Sequence, residues 1–202
     1  MASKASRSKL KDFAFLGKVG KGSFGEVFRV RRKSDQAIYV IKQINMARLK
    51  PKQQEAAINE VRVMSQLNNP HIIKYHDSFF EDNKLNIVMQ YAERGNLSEY
   101  LKRQSTPPKE STIWRMFLQI ATGVHYMHRK VILHRDIKAL NVFMDAQENC
   151  KLGDFGVAKK MQSENAFANS PRVGTPYYLS PEMCQKKPYN DRADVWALGC
   201  LL

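Results

Sequence analysis

From Phe13 onward, apolar and polar residues alternate in three short runs, "FAFLGKVG", "GEVFRVRR" and "AIYVIKQI". A period of two predicts β-strands with one covered face. The polar "KSDQ" reads as the turn between the last two runs. From Pro51 to about Leu67 the period lengthens, with Ala57, Val61 and Met64 three or four residues apart, which predicts a helix. Pro51 is tolerated in its first turn, and "NNP" ends it. Two more strand-like runs, "IIKYHDSFF" and "LNIVMQY", flank the polar "EDNK". The first part of the chain therefore predicts a five-stranded antiparallel sheet with one helix. After "AERGN" the pattern turns helical. "LSEYLKRQ" is a short helix stopped by Pro107 and Pro108. Residues 111–128 form a longer one with Phe117, Ile120, Ala121, Val124 and Met127 on one face. A polar loop, "HRDIKALN", follows, pinned between the apolar "VIL" and "VF". Short β-like pieces ("NVFMD", "CKLGD") and an irregular stretch to about Pro188 lead to a helical "ADVWALGCLL". There the chain stops among apolar residues, and it reads as a fragment. Residues 1–11 are polar and basic and are expected to be disordered.

Composition narrows the classes. The 202 residues are 43% apolar, enough for one large domain or two small lobes with a core. The net charge of +14 favours polyanionic partners. Yet the cations are scattered ("RVRRK", "KRQ", "CQKK") and follow no RRM, KH or zinc-finger pattern, so a solvated surface is the default reading and no nucleic-acid partner is expected. No apolar run has the length of a membrane span, and the N-terminus lacks the apolar core of a signal peptide, so no membrane partner is expected. Cys150, Cys184 and Cys200 have neither metal-ligand spacing nor a disulfide framework. They read as buried or half-buried thiols in a reducing compartment.

Gly20, Gly22 and Gly25 form a G-x-G-x-x-G pattern, which on its own is equally a glycine-bearing β-turn. A dinucleotide fingerprint needs a helix after the glycines, whereas "EVFRV" is strand-like. The glycines then form a hairpin tip able to fold over phosphates. Lys42 sits inside the apolar "YVIKQI", where a charge is costly unless paired. Glu60, on the predicted helix, is the natural partner; a snorkelling surface lysine is the plain alternative. Asp136 and Asn141 lie on the pinned loop, and Asp154 follows in "LGDFG". Two carboxylates, an amide, a phosphate-cradling hairpin and a buried lysine are the parts of phosphoryl transfer. In that template Asn141 and Asp154 supply oxygen ligands for Mg²⁺. Asp136 accepts the proton of an attacking hydroxyl and orients it, and Lys138 reaches the γ-phosphate.

In order and spacing, "GKGSFGEV", "YVIK", "HRDIKALN", "DFG" and "SPE" resemble a eukaryotic protein kinase from about residue 13 to the last residue. Lys138 and "GTPYYLSPE" look like the serine/threonine branch, and "YVIKQINM", "HRDIKALNVFM" and "DVWALGC" are similar to the NIMA-related kinases. The resemblance implies an α+β bilobal kinase fold: a basic N-terminus (1–12), an ATP-binding lobe (13–92) and a mainly helical, incomplete catalytic lobe (93–202). It implies ATP and Mg²⁺ as cofactors, with Lys42, Glu60, Asp136, Lys138 and Asn141 as catalytic residues. Gly20, Lys21, Gly22, Ser23, Phe24 and Gly25 would cover the phosphates. Val27, Val40 and Phe143 would sandwich the adenine, with valine at a position where alanine is usual. Met89 would be the gatekeeper, and backbone groups of Gln90 and Ala92 would bind the adenine edge. Met64, Tyr75, His134 and Phe155 would stack as the regulatory spine, anchored by Asp194. Arg135 is placed to bind a phosphate on the activation segment.

The family's fold continues beyond residue 202, with an arginine that pairs with the glutamate matching Glu182. The 202 residues alone are expected to lack that pair and to expose apolar surface on the last helix. The implied partners are protein substrates, an activating upstream kinase, and microtubule, centrosome or ciliary proteins. The implied location is the cytoplasm, with the cytoskeleton, centrosome, cilium or nucleus as refinements. A pseudokinase or scaffold is the rival reading, opposed by the complete catalytic set. Tyr75 is unusual for a spine position and is either a plain core residue or a ring that rotates to block Glu60. In "ANSPRVGTPYY", Pro171 falls where the family commonly carries its activating threonine. Ser170, just before that proline, then becomes the candidate for a proline-directed kinase; the alternative is that Ser170-Pro171 is only a turn and that Ser163, Thr175 or no phosphate at all controls activity.

Overall fold

The alternating runs fold as β1 (Phe13–Lys21), β2 (Gly25–Arg32), β3 (Ile38–Asn45), β4 (Tyr75–Glu81) and β5 (Lys84–Gln90). They make one antiparallel sheet in the order β1-β2-β3-β5-β4. The computed structural model from which this is read describes residues 8–21, 25–163, 167–168 and 174–202. These residues separate into two compact units. The first comprises the described residues up to Ser65 together with Lys74–Tyr91; the second comprises Gln66–Ile73 with Ala92–Leu202.

Register divides the residues of the first unit between the two faces of its sheet, because directly paired residues point the same way. Phe13, Val30, Tyr39, Ile41, Phe79 and Val88 form an apolar cluster on one face, with the rings of Phe13 and Phe79 stacked at 6.4 Å. The other face follows from the pairs Val27↔Lys42, Arg29↔Val40, Lys42↔Ile87 and Val40↔Met89. Asp82 and Asn83, with φ of 52° and 59°, close the β4–β5 hairpin. Two consecutive left-handed residues are what a type I′ turn requires. The helix α1 (Pro51–Met64) ends three residues earlier than its sequence pattern suggests, and Lys50 N–H donates to the Gln53 side chain at its start. Its buried residues are Ala57, Glu60, Val63 and Met64, so Val63 takes the place expected for Val61, and a glutamate lies on the covered face.

The second unit contains the helices α2 (Leu97–Lys102) and α3 (Glu110–Arg129). Asn96 caps α2 by accepting the Glu99 N–H at 2.9 Å. The buried residues of α3 are Met116, Ile120, Gly123, Val124 and Met127, a stripe rotated from the one expected at Phe117 and Ala121. Close packing explains the rotation: a Cβ on Gly123 would lie 2.9 Å from the His71 carbonyl and 3.0 Å from Leu152. Beyond α3, β6 (Ile132–Leu133) pairs with β9 (Lys159–Lys160), and β7 (Val142–Met144) pairs with β8 (Cys150–Leu152). Ile73 N–H donates to Leu152 O at 2.8 Å, and Leu152 N–H to His71 O at 2.9 Å, which ties residues 66–73 to β8. The helices α4 (Pro181–Cys184) and α5 (Arg192–Leu201) close the unit over Leu133, Met161, Leu179, Tyr189 and Ala193. Cys150 is buried, and burial pushes its thiol up to about 11. Cys184 and Cys200 are exposed, contrary to the expectation of buried or half-buried thiols, because the covered residues of α4 and α5 are Met183, Ala193, Asp194, Ala197 and Leu198. No helix among the described residues is long and apolar enough to cross a membrane.

Gly25 is fixed by its neighbours. A Cβ there would lie 1.9 Å from Gln43 O, so β2 and β3 can pair at this point only around a glycine. Gly25→Ala is expected to destabilise the first unit by about 1–3 kcal/mol, the cost of overpacking, seen as a lower urea midpoint at unchanged slope.

Candidate active site

In the first unit, Lys42 Nζ donates to both carboxylate oxygens of Glu60, at 2.7 and 2.9 Å. Lys42 is 5% exposed and Glu60 1%, so the pair is desolvated and each charge depends on the other. Val27, Val40 and Met89 share the sheet face of Lys42 and are half-buried. Gln90 N–H is given to Lys74 O at 2.9 Å. Gly20 is paired with Val27, and Lys21 with Glu26, at the end of the β1–β2 ladder next to residues 22–24. Lys18 and Glu26 bridge the same hairpin at 2.5 Å. Gly22, Ser23 and Phe24 lie outside the described residues. Tyr75 OH is hydrogen-bonded to Ser78 Oγ at 2.8 Å, a local partner for the phenol, and the Lys42–Glu60 pair is closed. Met64 is buried on α1.

In the second unit, the pinned loop carries a dense polar cluster. Asn141 donates through Nδ2 to Asp136 O and Oδ2, both at 2.8 Å. Lys138 Nζ donates to Asp136 Oδ2 at 2.7 Å and to Thr175 Oγ1 at 2.7 Å. Thr175 Oγ1 in turn donates to Asp136 Oδ1 at 2.9 Å. Thr175, marked by the sequence only as an alternative phosphorylation site, is thus a direct partner of Asp136, a contact that the motifs did not expose. Gly174 delivers it: φ is 101°, and a Cβ would lie 2.6 Å from Arg135 O. Burial works to raise the Asp136 carboxyl, but the Lys138 ammonium and the Thr175 and Asn141 hydrogen bonds together hold it below the usual carboxylate range.

The loop is held from beneath by Asp194, which is 1% exposed. Its carboxylate accepts the N–H groups of His134 and Arg135 at 2.9 and 2.8 Å, and His128 Nε2 lies 2.9 Å away. Burial would raise this acid, yet the His128 contact and the loop's donors keep it depressed. Those bonds hold Arg135 at φ 68°, a conformation costing a non-glycine residue roughly 1–2 kcal/mol. His134 Nδ1 accepts Asp136 N–H at 3.3 Å and Nε2 faces Gly153 O at 3.1 Å, which assigns the ring proton to Nε2. Its ring centroid is 5.4 Å from that of the fully buried Phe155.

Gly153 N–H donates to Asn141 O at 2.9 Å, and Asp154 follows with φ 56°. A Cβ on Gly153 would meet the half-buried Phe143 ring at 2.7 Å. Ala92 is buried at the start of the second unit's main segment. The guanidinium of Arg135 is engaged: Nε donates to Val157 O at 2.7 Å and Nη1 to Tyr189 OH at 2.8 Å. Ser170 and Pro171 lie outside the described residues, and Ser163 is exposed.

Among the described residues no three His, Cys, Asp or Glu side chains gather in a metal cluster. The donor chemistry at Asn141 and Asp154 nonetheless suits magnesium. The amide nitrogen of Asn141 is committed to Asp136, leaving its oxygen as the end a cation would use, and Mg²⁺ takes few protein ligands beside phosphate and water.

The family model described as the protein kinase domain matches residues 13–202. The chain is 41% identical over 194 residues to serine/threonine-protein kinase Nek1 of Mus musculus, covering 96% of this chain and 16% of that protein. It is 42% identical over 186 residues to serine/threonine-protein kinase Nek8 of Danio rerio, covering 91% and 26%. With the probable serine/threonine-protein kinase nek2 of Dictyostelium discoideum it shares 40% over 198 residues, covering 94% and 47%. It thus spans less than half the length of each.

A carboxyl whose folded-state pKa is depressed stabilises the fold above its unfolded value and loses that contribution as pH falls through the lowered one. Lys138→Met removes the nearest charge holding Asp136 down, so the Asp136 titration midpoint is expected to move to higher pH. Carboxyl ¹³C NMR of Asp136 measures it; an unmoved midpoint would refute the role given to Lys138.

Proposed function

We propose, since this chain belongs to the protein kinase family, that it transfers the γ-phosphoryl group of ATP to serine or threonine hydroxyls of protein substrates. The observation that carries the reading is the hydrogen-bonded set that Thr175 makes with Asp136, Lys138 and Asn141 of the pinned loop. An ionised Asp136 is the acceptor that orients an incoming hydroxyl and takes its proton. Thr175 and Lys138 hold both oxygens of that carboxylate in place, and Lys138 sets a cation beside the acceptor. Lys42, fixed by Glu60, would hold nucleotide phosphates, with Gly20, Lys21, Gly22, Ser23, Phe24 and Gly25 covering them. Val27, Val40 and Phe143 would enclose the adenine, beside Met89, Gln90 and Ala92. Asn141 and Asp154 would hold magnesium, which neutralises phosphate charge.

Similarity to kinases named Nek supports a NIMA-related role, and we extend the proposal to cell-cycle, centrosomal, microtubule or ciliary regulation in the cytoplasm or on the cytoskeleton. Ser170 remains our candidate activating site for an upstream proline-directed kinase. Because Val157 and Tyr189 engage the Arg135 guanidinium, a phosphate there would have to share it. Phosphosite mapping with and without a proline-directed kinase inhibitor tests this; full activity with Ser170 unmodified would sink it.

Radiolabel transfer from ATP to a generic protein substrate by the full-length protein tests the activity itself. Asp136→Asn is expected to lower kcat by roughly 10²–10⁴-fold while nucleotide binding persists. Near-normal turnover in that variant would remove Asp136 from the chemistry, and no transfer by the wild type would leave a pseudokinase.

A further inference from the structure

We infer that Arg29 is a positioning residue of the nucleotide site, acting through the ring of Tyr91. The inference rests on the reading above that the sheet face carrying Lys42 binds nucleotide. Arg29 stands two residues from Val27 on β2 and pairs with Gly17 on one side and Val40 on the other. Its side chain is therefore on the face of Val27, Val40, Lys42 and Met89. Two residues past Met89 is Tyr91, and the Arg29 guanidinium carbon lies 5.9 Å from the centroid of its ring. That is cation–π contact.

Two features set this arginine apart from an ordinary sheet cation. Its Nε is buried and has no hydrogen-bond partner, although a guanidinium held for structure normally sets its planar fork on carbonyls or a carboxylate. Here the side chain forgoes a bond at Nε and meets an aromatic ring. The ring, moreover, belongs to a residue that the β-ladder does not hold, since β5 ends at Gln90. The stack with Arg29 supplies a hold that the ladder lacks. Tyr91 lies between Gln90 and Ala92, the two residues whose backbone groups are assigned to the adenine edge. Fixing its ring orders the peptide groups on either side before nucleotide arrives, and a binding segment ordered in advance loses less entropy on binding.

The test is titration of the full-length protein with N-methylanthraniloyl-ADP and magnesium, read by fluorescence without turnover. Arg29→Met keeps the stem and removes the charge; Tyr91→Leu keeps bulk and removes the ring. Each is expected to weaken binding about 3–30-fold, the range of one cation–π contact. The double variant should be no weaker than either single. Arg29→Lys and Tyr91→Phe, which retain cation and ring, should restore most of the affinity, and the loss should appear in the KM for ATP rather than in kcat. Thermal melting identifies any variant that fails to fold; if Arg29→Met does, the contrast of Tyr91→Leu with Tyr91→Phe decides. Wild-type affinity in Arg29→Met, or additive losses in the double variant, would overturn the inference and leave the nucleotide site intact. A wild type that binds no nucleotide would overturn the nucleotide reading of this face, and the inference with it.

Discussion

Burying the carboxylate of Asp194 costs several kcal/mol unless donors meet its oxygens, and the donors that do so include two consecutive main-chain N–H groups, of His134 and Arg135. The acid and the loop therefore define each other. With those N–H groups directed at one anion, Arg135 is bent to positive φ and Asp136 emerges next to it. His134 is locked by bonds at both ring nitrogens, one to Asp136 N–H and one to Gly153 O. The segment holding Asp154 is thereby referenced to the same ion through Gly153. Rearranging any one of these groups would leave a buried charge or a buried amide unmet.

A desolvated ion pair, Lys42–Glu60, does the corresponding work in the first unit, by a different route. Lys42 is on a strand whose register is fixed by neighbours on both sides, so its position is set by the ladder and its charge by the helix. Asp136, by contrast, is set by side chains alone, two from its own loop, Lys138 and Asn141, and one from a distant part of the sequence, Thr175. A strand-borne charge tolerates little change in register; a loop-borne one tolerates little change in its partners.

That difference explains what the sequence disclosed. A lysine inside an apolar strand needs a counter-charge within reach, and only the facing helix could provide it, so the Lys42–Glu60 pair was legible. Asp136, Lys138 and Asn141 were legible because the eight-residue loop that carries them lay between apolar anchors. The contacts of Thr175 with Asp136 and of His128 with Asp194 were not, because nothing local marks them: the partners lie 39 and 66 residues away. The rotated face of α3 had a visible cue in Gly123, since a glycine inside a helix costs about 1 kcal/mol against alanine and usually marks a close approach. Strands β6 and β9, two residues each, are too short to show a period at all. The guanidinium of Arg135, expected to await a phosphate, is bonded within the unit, and that arrangement depends on Tyr189, 54 residues along.

The interleaving of the two units has a consequence for the order in which the chain is made. The first unit is complete once the β4–β5 hairpin has emerged, but residues 66–73, which precede that hairpin, belong to the second. Lys151, whose ammonium holds the carbonyl of Pro70 at 2.6 Å, lies 81 residues further along. At a synthesis rate of about 5–20 residues per second, Ile72 and Ile73 wait roughly 4–16 s for β8 to exist. During that interval two residues that end up almost fully buried are apolar and unpartnered on the nascent chain. The exposure ends only with β8, after Asp136, Lys138 and Asn141 have already been made.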